Sequence, residues 1–426
     1  MTRRLKYVPI SLLLFAAFLP QSLARQSISI KVNADVDISV DIFTPTNKPD
    51  GKLFIWQPHE KGLQNPDFQL AQQLADMGIE VWLLDLLQAY FLSNTASNMS
   101  TLNGDGFNKL IAAAHKTGKT IIVGGSGRGI VPVLRGLRDW QLANKDHSRF
   151  AGAVLLSPKF YTQTPEPGTP VVLLPIVKAT NSRLFILQPD KSPYFWQLKR
   201  SVDALQKTGS DVFVKTLRGV RDRFYFRADA FAKEQQASNS LARDLSNAIK
   251  LLSIQQDNFR QAVVSLSKAT NVPAKKKERG LEIYRGDPTP RPLNLPKLNG
   301  DFIDLKSLTG KVVIVNFWAT WCPPCVHEMP SMQRLNNHFK NKPFTLLGVN
   351  MAETNAEVAK FLKTKVDISF PIVMDYDGRA LKDWGVFAFP TSYVIDKRGK
   401  IRYALFGSVE WDNADIVSKI ERLINE

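Results

Sequence analysis

The chain has 426 residues, 44% of them hydrophobic, 56 Lys and Arg against 39 Asp and Glu (net +17), and two cysteines. That length suits two ordinary globular domains, and two cysteines leave nothing over for a disulfide scaffold beside a reactive pair. Residues 285–426 carry 19 Lys and Arg against 16 Asp and Glu, so the basic excess sits upstream, and with no long basic run or repeated motif it reads as surface bias, excluding nucleic acid as the partner.

In chain order, Arg3, Arg4 and Lys6 form a basic start, Val8–Leu19 is an apolar run, and Ser22-Leu23-Ala24 supplies small residues for cleavage. This predicts a signal peptide over 1–24, because the run is shorter than the roughly 20 residues that span a bilayer. An uncleaved membrane anchor is the alternative. The mature protein is then expected in an oxidising compartment, most simply the bacterial periplasm, where a lone cysteine pair serves chemistry.

Residues 27–267 alternate apolar runs with helical patterns. Strands are predicted at Val36–Phe43, Lys52–Gln57, Glu80–Leu84, Thr120–Val123, Ala153–Leu156, Arg183–Leu187 and Val212–Thr216. Helices are predicted at Phe68–Met77, Phe107–His115 and Tyr194–Lys207, with a long helical stretch over Ala228–Ser267 broken near Ser253. The alternation argues for an α/β fold, a mostly parallel sheet with helices on both faces. Lys275–Gly280 (KKKERG) and Pro288, Pro290, Pro292 and Pro296 predict a charged, Pro-rich linker over 268–296, with a domain boundary near 285.

Downstream, strands are predicted at Lys311–Trp318, Thr345–Asn350, Phe370–Met374, Ser392–Asp396 and Ile401–Phe406, the last two joined by the turn at Asp396–Gly399. Helices are predicted from Cys325 to about Phe339 and over Ala356–Thr364, Ala380–Trp384 and Asn413–Leu423. Cys322 and Cys325, split by two prolines, follow a strand and open a helix. There the unpaired N–H groups and the macrodipole favour an anion, so the thiol pKa falls and thiol–disulfide exchange is the predicted chemistry.

WATWCPPC (Trp318–Cys325), Glu328, GVNMAE (Gly348–Glu353), GVFAFPTSYVID (Gly385–Asp396) and Gly407 together resemble the TlpA/ResA/CcmG-like branch of exported thioredoxin-like oxidoreductases. The resemblance covers 285–426 and implies a thioredoxin-like domain. It implies that Cys322 exchanges with the substrate, that Cys325 resolves the mixed disulfide, and that Pro390 is a cis-proline beside the substrate strand. It also makes Glu328 the proton acceptor or donor for Cys325, the alternative being a solvent-facing charge at the helix start. Asn316 stands where ordinary thioredoxin has a buried Asp, which favours an acid elsewhere. The implied partners are a protein disulfide substrate and an upstream thiol donor or acceptor, with reduction of specific partners, cytochrome c maturation among the settings.

No cofactor or metal is expected. Haem attachment needs His directly after the second cysteine, but Val326 stands there and His327 follows, and a zinc site needs more ligands. Copper held by Cys322, Cys325 and His327 is a minor alternative. A peroxiredoxin needs Thr where Ala319 stands.

Ile121–Gly129 (IIVGGSGRG) resembles the nucleophile elbow of the α/β-hydrolase fold, with Ser126 as nucleophile, Gly124 before it and Arg128 in place of the second glycine. Asp190 occupies the place of the acid. No histidine occurs from 148 to 326, so Ser126 lacks its base and residues 27–267 are expected to be a non-catalytic hydrolase-like domain. His59 is expected in a loop near the pocket, and Arg128, Arg218, Arg221 and Arg223 read as a solvated basic loop, the alternative being that they converge on an anion. A serine esterase with an accessory redox domain is the alternative function.

Overall fold

The computed structural model describes residues 26–46, 48–162, 165, 171–254, 260–263 and 280–426; the predicted signal peptide and the basic run at 275–279 lie outside the described residues. Two sheets organise the chain. The first has eight strands: β1 (Gln26–Lys31), β2 (Asp37–Phe43), β3 (Lys52–Gln57), β4 (Glu80–Leu84), β5 (Thr120–Ser126), β6 (Phe150–Leu156), β7 (Arg183–Lys191) and β8 (Asp211–Arg221). Their order is β1-β2-β4-β3-β5-β6-β7-β8. β1 and β2 run antiparallel to their neighbours and the remaining pairings are parallel.

Strand β3 shows why the sheet is buried on both sides. Leu53 and Ile55 join the core under helices Asp105–His115 and Ile130–Ala143, whereas Phe54 and Trp56 join the core under helices Asn65–Asp76 and Ala232–Ser253. Side chains alternate across a strand, so an unbroken apolar run fills both layers. The helix Ala232–Ser253 ends where a break is expected, and Tyr194–Lys207 divides into a short 3-10 turn and the helix Leu198–Lys207. The edge strand β1 is an addition to the predicted set.

The second half holds β9 (Glu282–Ile283), β10 (Asn294–Pro296), β11 (Phe302–Asp304), β12 (Val312–Trp318), β13 (Phe344–Met351), β14 (Ile372–Asp375), β15 (Thr391–Ile395) and β16 (Ile401–Phe406). Six form a sheet in the order β14-β13-β12-β15-β16-β9, and β10 pairs with β11. Central β12 is buried along its length and delivers the chain to the helix Pro323–His338.

The linker expectation is corrected over its described part. β9 pairs with β16, Leu281 and Leu293 are buried, and Ile401 donates to the Pro288 carbonyl. Proline at turn and edge positions leaves neighbouring residues free to pair, so this stretch is built into the second half from Gly280 onward. Among the described residues no helix is long and apolar enough to cross a membrane.

Candidate redox site and the turn at Gly127

Cys322 is the N-cap of the helix Pro323–His338, with proline at the first helical positions, where a missing N–H costs nothing. Its Sγ accepts the Cys325 N–H at 3.3 Å, and a disulfide joins the two cysteines. Cys322 keeps 5% exposure and Cys325 none. A sulfur held at a helix N-terminus on a backbone donor is favoured as thiolate once the bond opens. In the reduced protein, iodoacetamide is therefore expected to modify Cys322 first and to do so below the free-thiol pKa of about 8.5; equal labelling would count against the order.

Glu328 follows Cys325 by three positions on the same helix face and is buried. Asn316 Nδ2 donates to one carboxyl oxygen at 2.9 Å and Trp411 Nε1 to the other at 3.1 Å. Burial without a cationic partner outweighs these donors and raises its pKa to about 8. This overturns the solvent-facing alternative. Asn316 also donates to Ser392 Oγ at 2.9 Å, so the position tied to a buried acid in the sequence reading instead supports Glu328.

Two loops frame the disulfide. The peptide bond between Phe389 and Pro390 is cis, and Phe389 packs edge-on against Trp321 at 5.6 Å between ring centres. In the other loop, buried Glu353 accepts the Thr320 N–H at 2.7 Å and its hydroxyl at 2.5 Å, while Asn350 donates to it at 2.9 Å. Thr320 precedes Cys322 by two residues, so Glu353 pins the approach to the helix; sequence spacing carried no sign of this role.

The turn after β5 reads differently from the predicted elbow. The left-handed residue is Gly127 (φ +55°), and Ser126 is extended. A Cβ on Gly125 would lie 3.0 Å from the Gln57 carbonyl oxygen, and one on Gly129 would lie 2.1 Å from that of Pro58. The pattern of small, turning, small residues is therefore Gly125, Gly127 and Gly129, one position on from the predicted register. Gly127 occupies the sharp strand-to-helix turn where an elbow carries its nucleophile.

Ser126 Oγ lies 3.2 Å from Tyr225 Oη, and burial pushes that phenol well up, so it remains protonated and offers no base. Asp190 is not brought to Ser126; it accepts the Gly219 N–H at 2.7 Å and braces β8. His59 lines the same small cavity, with Nδ1 accepting the Lys61 N–H and its ring against Phe226 at 4.2 Å. Burial lowers its pKa to about 4.

Unpredicted residues fill the space beside Gly127. Glu60 accepts the Arg128 N–H at 3.1 Å and pairs with Lys159 Nζ at 2.8 Å, both side chains being buried. Burial would raise the Glu60 pKa, but Lys159 and the backbone donors hold it at about 2. Asp222 accepts from Ser157 and, at 3.0 Å, from Ser192. Three of the arginines face separate partners: Arg128 donates to Ser100 and to the Tyr161 carbonyl, Arg221 forks onto Glu234, and Arg223 reaches Glu60 at 3.6 Å beside the cavity.

Residues 286–404 match the AhpC/TSA family. Thiol-disulfide oxidoreductase ResA of Bacillus thuringiensis subsp. konkukian (strain 97-27) is 39% identical over 125 residues, 29% of this chain and 70% of that relative. The chain belongs to the ResA family of thiol-disulfide oxidoreductases. ResA of Bacillus subtilis (strain 168) is 36% identical over 115 residues, 27% of this chain and 64% of its own length. A solved thiol:disulfide interchange protein of the thioredoxin family from Chlorobium tepidum TLS is 31% identical and covers 33% of this chain and 97% of its own, with a TM-score of 0.28. Like its ResA relatives, the protein is a thiol-disulfide oxidoreductase, and its C-terminal third builds the mixed sheet, cysteine pair at a helix start and cis-proline loop expected of a thioredoxin-like domain.

Proposed function

We propose that the chain is an exported, periplasmic reductase of protein disulfides that works through Cys322 and Cys325, with residues 27–267 a non-catalytic hydrolase-like domain and 285–426 the redox domain. The observation that carries this reading is Cys322 at the helix start, its sulfur on the Cys325 N–H, with protonated Glu328 buried behind.

In the reduced form the Cys322 thiolate attacks one sulfur of the partner disulfide and expels the other as a thiolate. Cys325, deprotonated by Glu328 in its ionised form, then attacks the Cys322 sulfur and releases the partner's second thiolate, the protonated form of Glu328 being the one that stands behind the intact disulfide. Two electrons pass to the partner and the Cys322–Cys325 disulfide remains. There is no third cysteine in the chain to relay electrons, so a separate dithiol protein must restore the pair. Apocytochrome c disulfides are one substrate class that the family likeness suggests, and a membrane association follows only if the signal segment stays uncleaved.

The esterase alternative rests on Ser126, whose hydroxyl meets a protonated phenol rather than a neutral imidazole. Dithiothreitol-driven insulin reduction by the full chain tests the main reading, with Cys322→Ser expected at background. A fluorophosphonate probe is expected to leave Ser126 unlabelled, and stoichiometric labelling there would restore the esterase.

A further inference from the structure

The two halves meet at the loop that carries Pro390. Phe387 is buried, inserted edge-on between Tyr161 at 5.0 Å and Tyr194 at 5.6 Å, both from the first half. Two residues on, Phe389 packs on Trp321, the neighbour of Cys322. A second contact reaches the opposite loop: Lys191 Nζ donates to the Ala352 carbonyl at 3.1 Å. Ala352 has φ +51°, unusual for a residue with a Cβ, and it precedes Glu353, the brace of Thr320. Both loops framing the disulfide are thus gripped by the first half.

The socket is in turn anchored on the turn at Gly127. Arg128 holds the Tyr161 carbonyl at 2.9 Å. Lys159, fixed by Glu60 and by its own N–H on the Gly127 carbonyl, lies 5.6 Å from the centre of the Tyr194 ring. Ser192, bonded to Asp222, accepts the Tyr194 N–H at 3.2 Å. The charged groups beside the strand-to-helix turn thereby rigidify the two tyrosines.

We propose that the first half is a positioning element of the redox site: the Glu60–Lys159 pair and the Tyr161–Tyr194 socket hold Phe387 so that the Pro390 loop presents a fixed docking edge to the partner's disulfide-bearing strand. Phe387 acts through the loop and touches neither sulfur. The inference rests on the reductase reading above, and it gives the first half a role in substrate binding without hydrolysis.

The test is insulin reduction by the full chain, resolved into kcat and KM, alongside Cys322 alkylation of the reduced protein. Phe387→Ala is expected to raise KM about tenfold while kcat stays within about twofold, the pattern of lost binding rather than lost chemistry. Alkylation of Cys322 should be unchanged. Phe387→Leu, which refills the socket, should recover most of the loss. The remote double variant Glu60→Gln, Lys159→Met removes both members of the buried pair together, leaving Arg223 and Asp222 beside the turn, and should raise KM in the same direction. A variant that merely unfolds part of the sample would lower kcat and leave KM alone, which would overturn the proposal, as would wild-type kinetics in Phe387→Ala. A wild-type chain that reduces no insulin would sink the reductase reading and this inference with it.

Discussion

A Cys325→Ala chain is expected to lose multiple-turnover disulfide reduction by on the order of a thousandfold or more while still attacking substrate once. The resolving thiol sits in the same helical turn as Cys322, and such intramolecular nucleophiles act at effective concentrations on the order of 10⁵ M. An external thiol at millimolar levels cannot match that. The variant should therefore accumulate covalent mixed disulfides through Cys322, visible on non-reducing gels and reversed by dithiothreitol. Mass spectrometry of the trapped species from a periplasmic extract would then name the partner. Near-normal turnover in this variant would remove Cys325 from the resolving role.

Glu328→Gln is expected to flatten the rise of exchange with pH and to slow resolution by on the order of a hundredfold, the low end for a lost acid–base group. Protonated Glu328 can supply a proton to Cys325 below pH about 8, and its carboxylate can take one above. The same group links stability to pH. Its folded pKa, raised to about 8, exceeds the ordinary carboxyl value, so the folded state holds an extra proton between about pH 4.5 and 8. That contribution is complete below about pH 4.5, declines as pH rises and is gone above about 8. Melting temperatures of wild type and variant compared at pH 5 and pH 9 isolate it: the variant should lose ground at pH 5 and recover at pH 9. Parallel wild-type and variant profiles would mean that Glu328 is an ordinary buried amide-like group.

The strands β3 and β4 were legible to their end residues because short apolar runs between turn residues leave little freedom for a doubly covered strand, and half-exposed β16 because the turn at Asp396–Gly399 fixes where it starts. β1 was not, since its Ser-Ile-Ser-Ile alternation is short and lies against the expected cleavage site. Prolines hid β9 and β10, of which β9 depends on a partner far along the chain, whereas β10 folds back on the adjacent β11. At the redox site the cysteines announced themselves by spacing. The burial of Glu328 did not, because a glutamate beside a helix start is usually solvated, and its cover comes from Asn316 on another element and from Trp411, 83 residues away. The elbow reading slipped by one position for a related reason. Gly-Gly-Ser-Gly-Arg-Gly supports two registers, and the choice lies in where the Gln57 and Pro58 carbonyls approach.

That choice ties the turn to the buried pair. A side chain at position 127 would place its Cβ 2.8 Å from the Glu60 carboxylate, which Lys159 and the Arg128 N–H hold in place. Any residue larger than glycine there has to push that carboxylate aside and loosen its hold on Lys159. The turn and the ion pair therefore behave as one unit, in which the backbone of one residue and the charge of another can be exchanged only together.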